Sequence, residues 1–553
     1  MQDVKMPEVG TASGQWIDLA HGVQIRENNY TEEAKTILTD AFLEKLASAH
    51  RELNSERLSL LWARKERQAS FDRGEVPRYK NKDSEAVQSE WKVRDIPEDM
   101  KQRRVEITGP VSSAKMVINM LSVNQNGEHA DMAMLDFEDA MKPSWSNVVN
   151  GVHNVIGAAR QDLRLETSKK TYKLDPENMA NMMVRVRGLH LDEHRIKIDG
   201  QPVSAGIFDM MICFHHTAET LLEKGKTPNY YVPKVEHYLE ARWWEKLFTT
   251  IEDLHSYPIG TLRTTFLIET LHAAFQIEEI LYEIRHHATG LNVGRWDKIF
   301  SDIKVLRHHE DRIMADRAEI NMEKYWMDNY AKRLIKICHS RGAFAIGGMS
   351  AFTPGSTPEL REEQTAKVMK DKKNENDIGH DGCWVSHPYF ITPALECFPQ
   401  KNQIERTLPD QDKYPDLLPQ GGGPYTEAGL QTNIRVGIGY MQGWNQDIGC
   451  VAWDNLMEDL ATLEISRAQT WQWLHHGIQL EDGRKVTKKL VKQLFDEELD
   501  KIHQEVEEAM PDANSEQVKA IKDRFSEAKE IAQKVFTQDE LADFLHDALE
   551  DLD

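Results

Sequence analysis

The chain has 553 residues, and its 68 lysines and arginines against 91 aspartates and glutamates give a net charge of -23 at pH 7. Such a charge repels nucleic-acid phosphates and anionic lipid surfaces, so neither a nucleic-acid partner nor a membrane partner is expected. The length predicts several domains, or one large barrel with appendages.

The sequence contains few features that indicate a cellular compartment. The five cysteines are scattered without a Cys-x-x-Cys pair, which indicates neither a disulfide framework nor a structural zinc site. The first residues contain no apolar signal core, and no run reaches the roughly 18 apolar residues that span a bilayer. The last residues do not form a peroxisomal tripeptide. A cytoplasmic location is therefore expected.

Residues 1–102 are predicted to be mainly helical. Apolar residues between Ala34 and Leu46 recur at helical spacing, a charged helix follows as far as Gln68, and a loop with glycine and prolines completes the segment. We interpret this segment as an appendage ahead of the main domain.

Short strands alternate with helical stretches between residues 103 and 398. Eight strands are predicted, at 105–108, 132–137, 182–187, 230–235, 265–269, 290–294, 343–347 and 382–385. Eight strands in about 285 residues fit a closed (β/α)₈ TIM barrel, so the expected fold class is α/β. An open, doubly wound sheet remains an alternative.

The rest of the chain is predicted to be a loop followed by helices. Residues 399–425 are rich in proline and glycine, and residues 426–553 are helical and strongly charged. Within this region, apolar residues from Leu456 to Leu474 share one helical face.

Charged residues follow the predicted barrel strands. In a barrel these strand ends converge on one mouth, where active sites lie. The residues are Asp136, Glu138 and Asp139 after the second strand, Arg185 and Arg187 in the third, Lys234 and Glu236 at the fourth, Glu269 at the fifth and Asp297 at the sixth.

Glu269 and Asp297 each follow a short apolar stretch that is typical of a buried strand. Oxygen donors without a thiolate or an imidazole beside them suit Mg²⁺ better than zinc. The spacing alone is equally consistent with two acids that cap helices or face solvent at the rim.

Arg185 and Arg187 alternate within a predicted strand, so they are expected to share one face. A guanidinium at a barrel mouth can bind the carboxylate of an α-keto acid or stabilise an oxyanion. The alternative is an ion pair with an acid of the rim.

Asp459 lies in an otherwise apolar helical start. Desolvation at such a position raises the pKa of a carboxyl toward the range that is useful for a general base. The alternative is an acid that stabilises the helix N-terminus through the macrodipole.

Several segments together resemble the malate synthases, specifically the shorter, A-type isoform, and the match runs along most of the chain. The most specific segment is Phe-Leu-Ile-Glu-Thr-Leu-His-Ala-Ala-Phe-Gln at 266–276, followed by Gly-Leu-Asn-Val-Gly-Arg-Trp-Asp-Lys-Ile-Phe at 290–300. Further matches are Leu-Asp-Phe-Glu-Asp-Ala at 135–140, Val-Arg-Val-Arg-Gly-Leu-His at 184–190, Trp-Val-Ser-His-Pro at 384–388 and Met-Glu-Asp-Leu-Ala-Thr at 457–462.

The resemblance implies a TIM barrel at 103–398 with an N-terminal helical clasp at 1–102, a linker loop at 399–425 and a C-terminal helical plug at 426–553. It also implies condensation of acetyl-CoA with glyoxylate to give malate and CoA, with Mg²⁺ as cofactor. The oligomeric state is left open.

The resemblance also implies roles for individual residues. Asp459 resembles the general base, Arg185 the catalytic arginine, and Glu269 with Asp297 the Mg²⁺ ligands. Substrate contacts are expected from Arg187, Glu138, Asp139 and Pro388, and the choice between Arg185 and Arg187 as the catalytic arginine stays open.

Two departures from the family pattern are Leu460, where the family usually has alanine, and His272, where proline is common. The alternative enzyme is a CoA-ester lyase of the citryl- or malyl-CoA type, which usually lacks the domain that carries Asp459. A non-enzymatic acidic scaffold would require the rim charges to be missing, and they are present.

Overall fold

A computed structural model describes residues 14–550. Its strands are short and lie mostly in the middle of the chain. They are β1 (Trp16–Asp18), β2 (Val23–Arg26), β3 (Val105–Pro110), β4 (Met132–Asp136), β5 (Arg164–Glu166), β6 (Thr171–Lys173), β7 (Asn181–Arg185), β8 (Asp192–Ile198), β9 (Gln201–Ser204), β10 (Asn229–Val232), β11 (Arg263–Ile268), β12 (Ala288–Val293), β13 (Phe344–Ser350), β14 (Gly382–Val385), β15 (Val451–Trp453) and β16 (Leu456–Glu458).

Eight of these strands form a closed parallel barrel in the order β3, β4, β7, β10, β11, β12, β13 and β14. The last strand pairs with the first, since Cys383 lies beside Val105, and this closure excludes the open sheet. Their residues are mostly apolar because helices cover the outside and side chains fill the inside. The predicted TIM barrel and its eight strands are confirmed.

The helices are α1 (Glu32–Ile37), α2 (Asp40–Asp72), α3 (Glu85–Gln88), α4 (Ala114–Leu121), α5 (Trp145–Arg160), α6 (Ala205–Glu223), α7 (Tyr238–Leu254), α8 (Leu271–Ala274), α9 (Ile277–Glu283), α10 (Arg295–Val305), α11 (Tyr325–Ser340), α12 (Pro358–Ile378), α13 (Ile391–Cys397), α14 (Glu427–Trp444), α15 (Leu460–His475), α16 (Lys488–Ala509), α17 (Ser515–Phe536) and α18 (Leu545–Glu550). None of those in residues 14–550 is long and apolar enough to cross a membrane.

The N-terminal region is held to the barrel by its long helix α2. Thr39 caps this helix by accepting a hydrogen bond from the Phe42 N–H, and Trp243 of α7 donates its ring N–H to the Leu53 carbonyl at 2.9 Å. The region is not only helical as predicted, because β1 and β2 extend the hairpin β8–β9 into a four-stranded antiparallel sheet.

The C-terminal region packs α14, α16 and α17 around its own apolar core, next to the hairpin β15–β16. The predicted helix from Leu456 is wrong in its first residues, which form β16. Asp454 and Asn455 adopt φ values of 48° and 65°, a conformation that short polar side chains tolerate and that a tight hairpin turn needs. The predicted domain boundaries at 102, 398 and 425 stay predictions.

Candidate active site

Arg185 and Asp136 face each other at the carboxyl ends of neighbouring strands. They are register partners on β7 and β4, and the guanidinium binds the carboxylate through two bonds, 2.7 Å from Nε to Oδ1 and 2.5 Å from Nη2 to Oδ2. Burial disfavours the charge, but Asp136 and Glu138 outweigh it and hold the pKa of Arg185 well above its usual value. Arg185 is therefore a permanent cation at the mouth.

The free edge of Arg185 points toward the other acids. Its Nη1 lies 3.5 Å from Glu138 Oε2 and 3.9 Å from Asp139 Oδ2. The guanidinium carbon lies 5.5 Å from the ring centroid of Trp384 on β14. A cation that is held in one position beside an aromatic ring is suited to bind an anionic oxygen of a substrate.

Arg187 points elsewhere. Strand β7 ends at Arg185, so the alternation that would have placed both arginines on one face does not continue. The Arg187 guanidinium donates to both Asp209 oxygens at 2.9 and 2.7 Å and to Glu193 at 2.9 Å. The expected shared face is therefore corrected to a buried ion pair with α6 and β8, and these contacts give no support to a substrate role for Arg187.

Lys234 lies at the centre of the acidic cluster, two residues after β10 ends. Its Nζ is 2.8 Å from Glu138, 2.7 Å from Asp139, 3.0 Å from Asp297 and 3.9 Å from Glu269. The sequence placed Lys234 at a strand end but assigned it no role. The four predicted acids are thus brought together, and a lysine that was not predicted joins them.

The buried acids titrate differently because their neighbours differ. Burial raises the pKa of Asp139, but Lys234 and Arg185 outweigh it and the pKa falls to about 2. For Glu138 and Asp297, burial and the negative charge of Asp139 hold the pKa well above the usual value. Two cations, Lys234 and Arg185, do not balance the five carboxylates of the mouth (Asp136, Glu138, Asp139, Glu269 and Asp297), which leaves room for further positive charge.

The acids at the mouth offer a donor set that suits a hard cation. Three buried carboxylate oxygens of the cluster, Glu269 Oε2, Asp139 Oδ1 and Asp297 Oδ1, have no hydrogen-bond partner, although the last forms an ion pair with Lys234. The acids provide oxygen atoms only, as Mg²⁺ requires. In residues 14–550 no group of three or more His, Cys, Asp or Glu side chains converges closely enough to hold a metal ion; here the Lys234 ammonium lies between the carboxylates.

Asp459 reaches the mouth from the C-terminal region. It is the N-cap of α15, where its carboxylate accepts from the Thr462 N–H at 3.2 Å and its own N–H donates to the Thr462 hydroxyl at 3.0 Å. The next N–H, from Leu460, donates to the Asp139 carbonyl at 3.2 Å. Burial first, and then the charge of Asp139, raises the pKa of Asp459 to about 7, against a lowering effect of Arg185. Asp459 is therefore the cap of α15 with a carboxyl whose pKa is raised, and its role as the general base stays a prediction.

Glu458, the acid that precedes Asp459 in the sequence, forms an ion pair with Arg317. Glu458 is buried and its carboxylate binds Arg317 at 2.8 Å. Because this ion pair satisfies its charge, Glu458 is a poor competitor for the role of base.

Pro388 lies on the rim. It begins the short 3₁₀ turn Pro388–Phe390, three residues after β14 ends, and is half-buried, outside the carboxylate cluster. Its carbonyl accepts from the Asn124 side chain at 3.5 Å. Its predicted contact with substrate stays a prediction.

Fold and site together define a TIM-barrel enzyme whose mouth carries a fixed cation, a carboxylate cluster and a buried carboxyl, Asp459, from the helical C-terminal region. Three family models match the chain: the malate synthase N-terminal domain at residues 21–84, the malate synthase TIM-barrel domain at 181–416 and the malate synthase C-terminal domain at 424–552.

Two relatives, identified by sequence identity, are malate synthases. Malate synthase A of Escherichia coli (strain K12) is 40% identical over 525 residues, covering 93% of this chain and 95% of the relative. Malate synthase of Myxococcus xanthus (strain DK1622) is 42% identical over 491 residues, covering 88% and 89%. A Haloferax volcanii malate synthase structure, a pyruvate/acetyl-CoA ternary complex, aligns with 78% of this chain and all of that chain, with 15% identity and a TM-score of 0.47. The chain belongs to the malate synthase family, and it is an enzyme of the acyltransferase class.

Gly294 provides a prediction about the cluster. A Cβ at this position would lie 2.6 Å from both Cβ and Oε2 of Glu269, so Gly294→Ala must displace the carboxylate. A displacement of 1 Å at a reacting centre can cost about 10²-fold in rate, and overpacking costs about 1–3 kcal/mol of stability. Steady-state kinetics measure the loss of rate, and thermal unfolding measures the loss of stability. A variant with parental turnover would contradict the close packing of Gly294 on Glu269.

Proposed function

We propose that this protein is an A-type malate synthase that condenses acetyl-CoA with glyoxylate and hydrolyses the product to malate and CoA in the cytoplasm. The observation that carries the proposal is the buried Asp459, whose pKa of about 7 is set by burial and by two groups of the barrel mouth, Asp139 and Arg185. A base tuned near neutrality beside a fixed cation is what enolate formation from a thioester requires.

In the first step Asp459 takes a proton from the acetyl methyl group. The electrons of the broken C–H bond form the enolate, and Arg185 donates to its oxygen and stabilises the negative charge. The nucleophilic carbon then attacks the aldehyde carbon of glyoxylate, which becomes the alcohol carbon of the malyl thioester once its oxygen is protonated.

Glu269 and Asp297 would hold Mg²⁺, with Glu138 and Asp139 beside them. When bound, the ion would supply Lewis-acid polarisation of the aldehyde. The chain's own contribution is to fix the acids: Glu269 accepts from the Lys234 N–H at 2.6 Å and packs on Gly294, while Asp297 lies in the first turn of α10.

Hydrolysis completes the reaction. Water adds to the thioester carbonyl, the bond between carbon and sulfur breaks, and CoA leaves as the thiol after taking a proton. Loss of the thioester makes the overall conversion irreversible in practice.

The proposal is tested by measuring free thiol with acetyl-CoA, glyoxylate and Mg²⁺, each omitted in turn. CoA release is expected only with all three present, because the enolate needs an electrophile. Equal release without glyoxylate would indicate a thioesterase. Faster cleavage of malyl-CoA to glyoxylate than formation of malate would favour the lyase alternative.

The pH profile follows from the pKa of Asp459. The carboxyl can accept a proton only when ionised, so kcat/KM for acetyl-CoA is expected to fall about tenfold per pH unit below about pH 7 and to level off above it. Initial rates between pH 5.5 and 9 measure the profile. A flat profile across this range would contradict the assignment.

A further inference from the structure

Arg64 of helix α2 extends from the N-terminal region to the edge of the barrel mouth. It is buried, and its Nε and Nη2 bind the two oxygens of Glu240 at 2.9 and 2.7 Å. The same Nη2 also donates to the backbone carbonyl of Lys234 at 2.7 Å, across 170 positions of sequence. No step of the proposed mechanism uses this arginine.

The backbone that Arg64 holds has an unusual conformation. Lys234 has φ 56°, in the left-handed region that residues with a Cβ rarely adopt. Its N–H donates to Glu269 Oε1 at 2.6 Å while its carbonyl accepts from Arg64. Such a conformation persists only where its surroundings enforce it, and these two hydrogen bonds engage both backbone groups of Lys234.

The conformation of Lys234 determines two contacts of the acidic cluster. It directs the amide toward Glu269, and it directs the ammonium between Asp139 and Asp297 at 2.7 and 3.0 Å. If the backbone relaxed to an ordinary φ, both groups would turn away. The acids would then lose the partners that orient them.

We infer that Arg64 is a positioning residue, which holds Lys234 in the left-handed conformation and thereby aims Glu269 and Asp297 toward a divalent cation. The inference rests on the proposed function, and it makes the N-terminal region part of the support of the active site. Partners that orient ligating carboxylates are typically worth about 10- to 100-fold in metal affinity or activity.

The matched control is Arg57 on the same helix. It is also buried, donates to the carbonyls of Leu189 at 2.7 Å and Leu191 at 3.2 Å in the segment between β7 and β8, and pairs with Asp192 at 2.7 Å. Arg57→Lys therefore weakens a similar attachment of α2 to the barrel without touching Lys234. Arg64→Lys keeps the charge beside Glu240 but loses the planar fork that reaches two acceptors at once.

The experiment titrates each full-length variant with Mn²⁺ and measures the free ion by electron paramagnetic resonance. Arg64→Lys is expected to raise the Mn²⁺ Kd about 10- to 100-fold and to lower kcat, with the KM for acetyl-CoA unchanged. Arg57→Lys is expected to keep the parental Kd and kcat. Glu240→Gln weakens the ion pair that holds the same guanidinium, so it should raise the Mn²⁺ Kd as well. This second variant keeps the inference testable if the Arg64 variant does not fold.

Parental Mn²⁺ affinity in both the Arg64 and Glu240 variants would overturn the inference. So would an equal loss in Arg57→Lys, since it would reveal a general loosening of α2. If the parent protein bound Mn²⁺ but released no CoA with glyoxylate, the proposed function would fail, while the ratio of the Kd values would still decide the role of Arg64.

Discussion

Asp459→Asn is expected to lower kcat by about 10²- to 10⁴-fold, the usual worth of a positioned general base. Asparagine is as good an N-cap as aspartate, so helix α15 keeps its start and the plug its fold. The amide has no basicity near pH 7 and cannot take the methyl proton. Turnover and far-UV circular dichroism of the purified variant measure the two properties separately.

Two further substitutions separate the cap from the base. Asp459→Ser keeps a capping oxygen without a carboxylate, and it is expected to lose as much turnover as Asp459→Asn. Asp459→Ala also loses the bond to the Thr462 N–H, and it is expected to cost about 1 kcal/mol more stability than the serine variant. Near-parental turnover in the asparagine variant would mean that another group is the base.

Glu269→Gln and Asp297→Asn are expected to have the second-largest effect. Each removes one negative charge from a site that has few carboxylates to offer, so the Mg²⁺ needed for half-maximal activity should rise steeply while the fold survives. Activity measured against Mg²⁺ concentration gives this value for each variant.

Asp302→Asn is the control for the metal acids. Asp302 is a buried aspartate on the same helix as Asp297, and it pairs with Lys298 at 2.5 Å instead of joining the cluster. Its substitution is expected to change stability and leave the Mg²⁺ requirement as it was. An unchanged Mg²⁺ requirement in both the Glu269 and Asp297 variants would mean that these acids are structural and do not bind the metal.

The barrel and most of its mouth were predictable from the sequence because their signals are local. Buried strands are apolar, so a charged residue at a strand end marks the rim, and this placed Asp136, Arg185, Glu269 and Asp297 correctly at the mouth. The general base could be proposed but not separated from a helix cap. That distinction depends on burial and on the nearby charge of Asp139, which come from a distant part of the chain.

The remaining features depend on contacts between distant segments. Arg187 diverged from Arg185 because β7 ends at Arg185, two residues before Arg187, so strand alternation does not extend to it. The role of Lys234 depends on a left-handed backbone conformation that no local sequence pattern predicts. Its carbonyl is bound by Arg64 from the N-terminal helix α2. The strands β1 and β2 formed because a partner hairpin was available at β8 and β9.

The most direct test of the account is the loss of deuterium from acetyl-CoA labelled at the methyl group. The labelled thioester is incubated in ordinary water with Mg²⁺ and oxalate, which resembles glyoxylate but has no aldehyde to attack. If Asp459 removes the methyl proton, the parent protein catalyses the wash-out, and Asp459→Asn lowers its rate by about 10²-fold or more. Equal wash-out in parent and variant would contradict proton removal by Asp459.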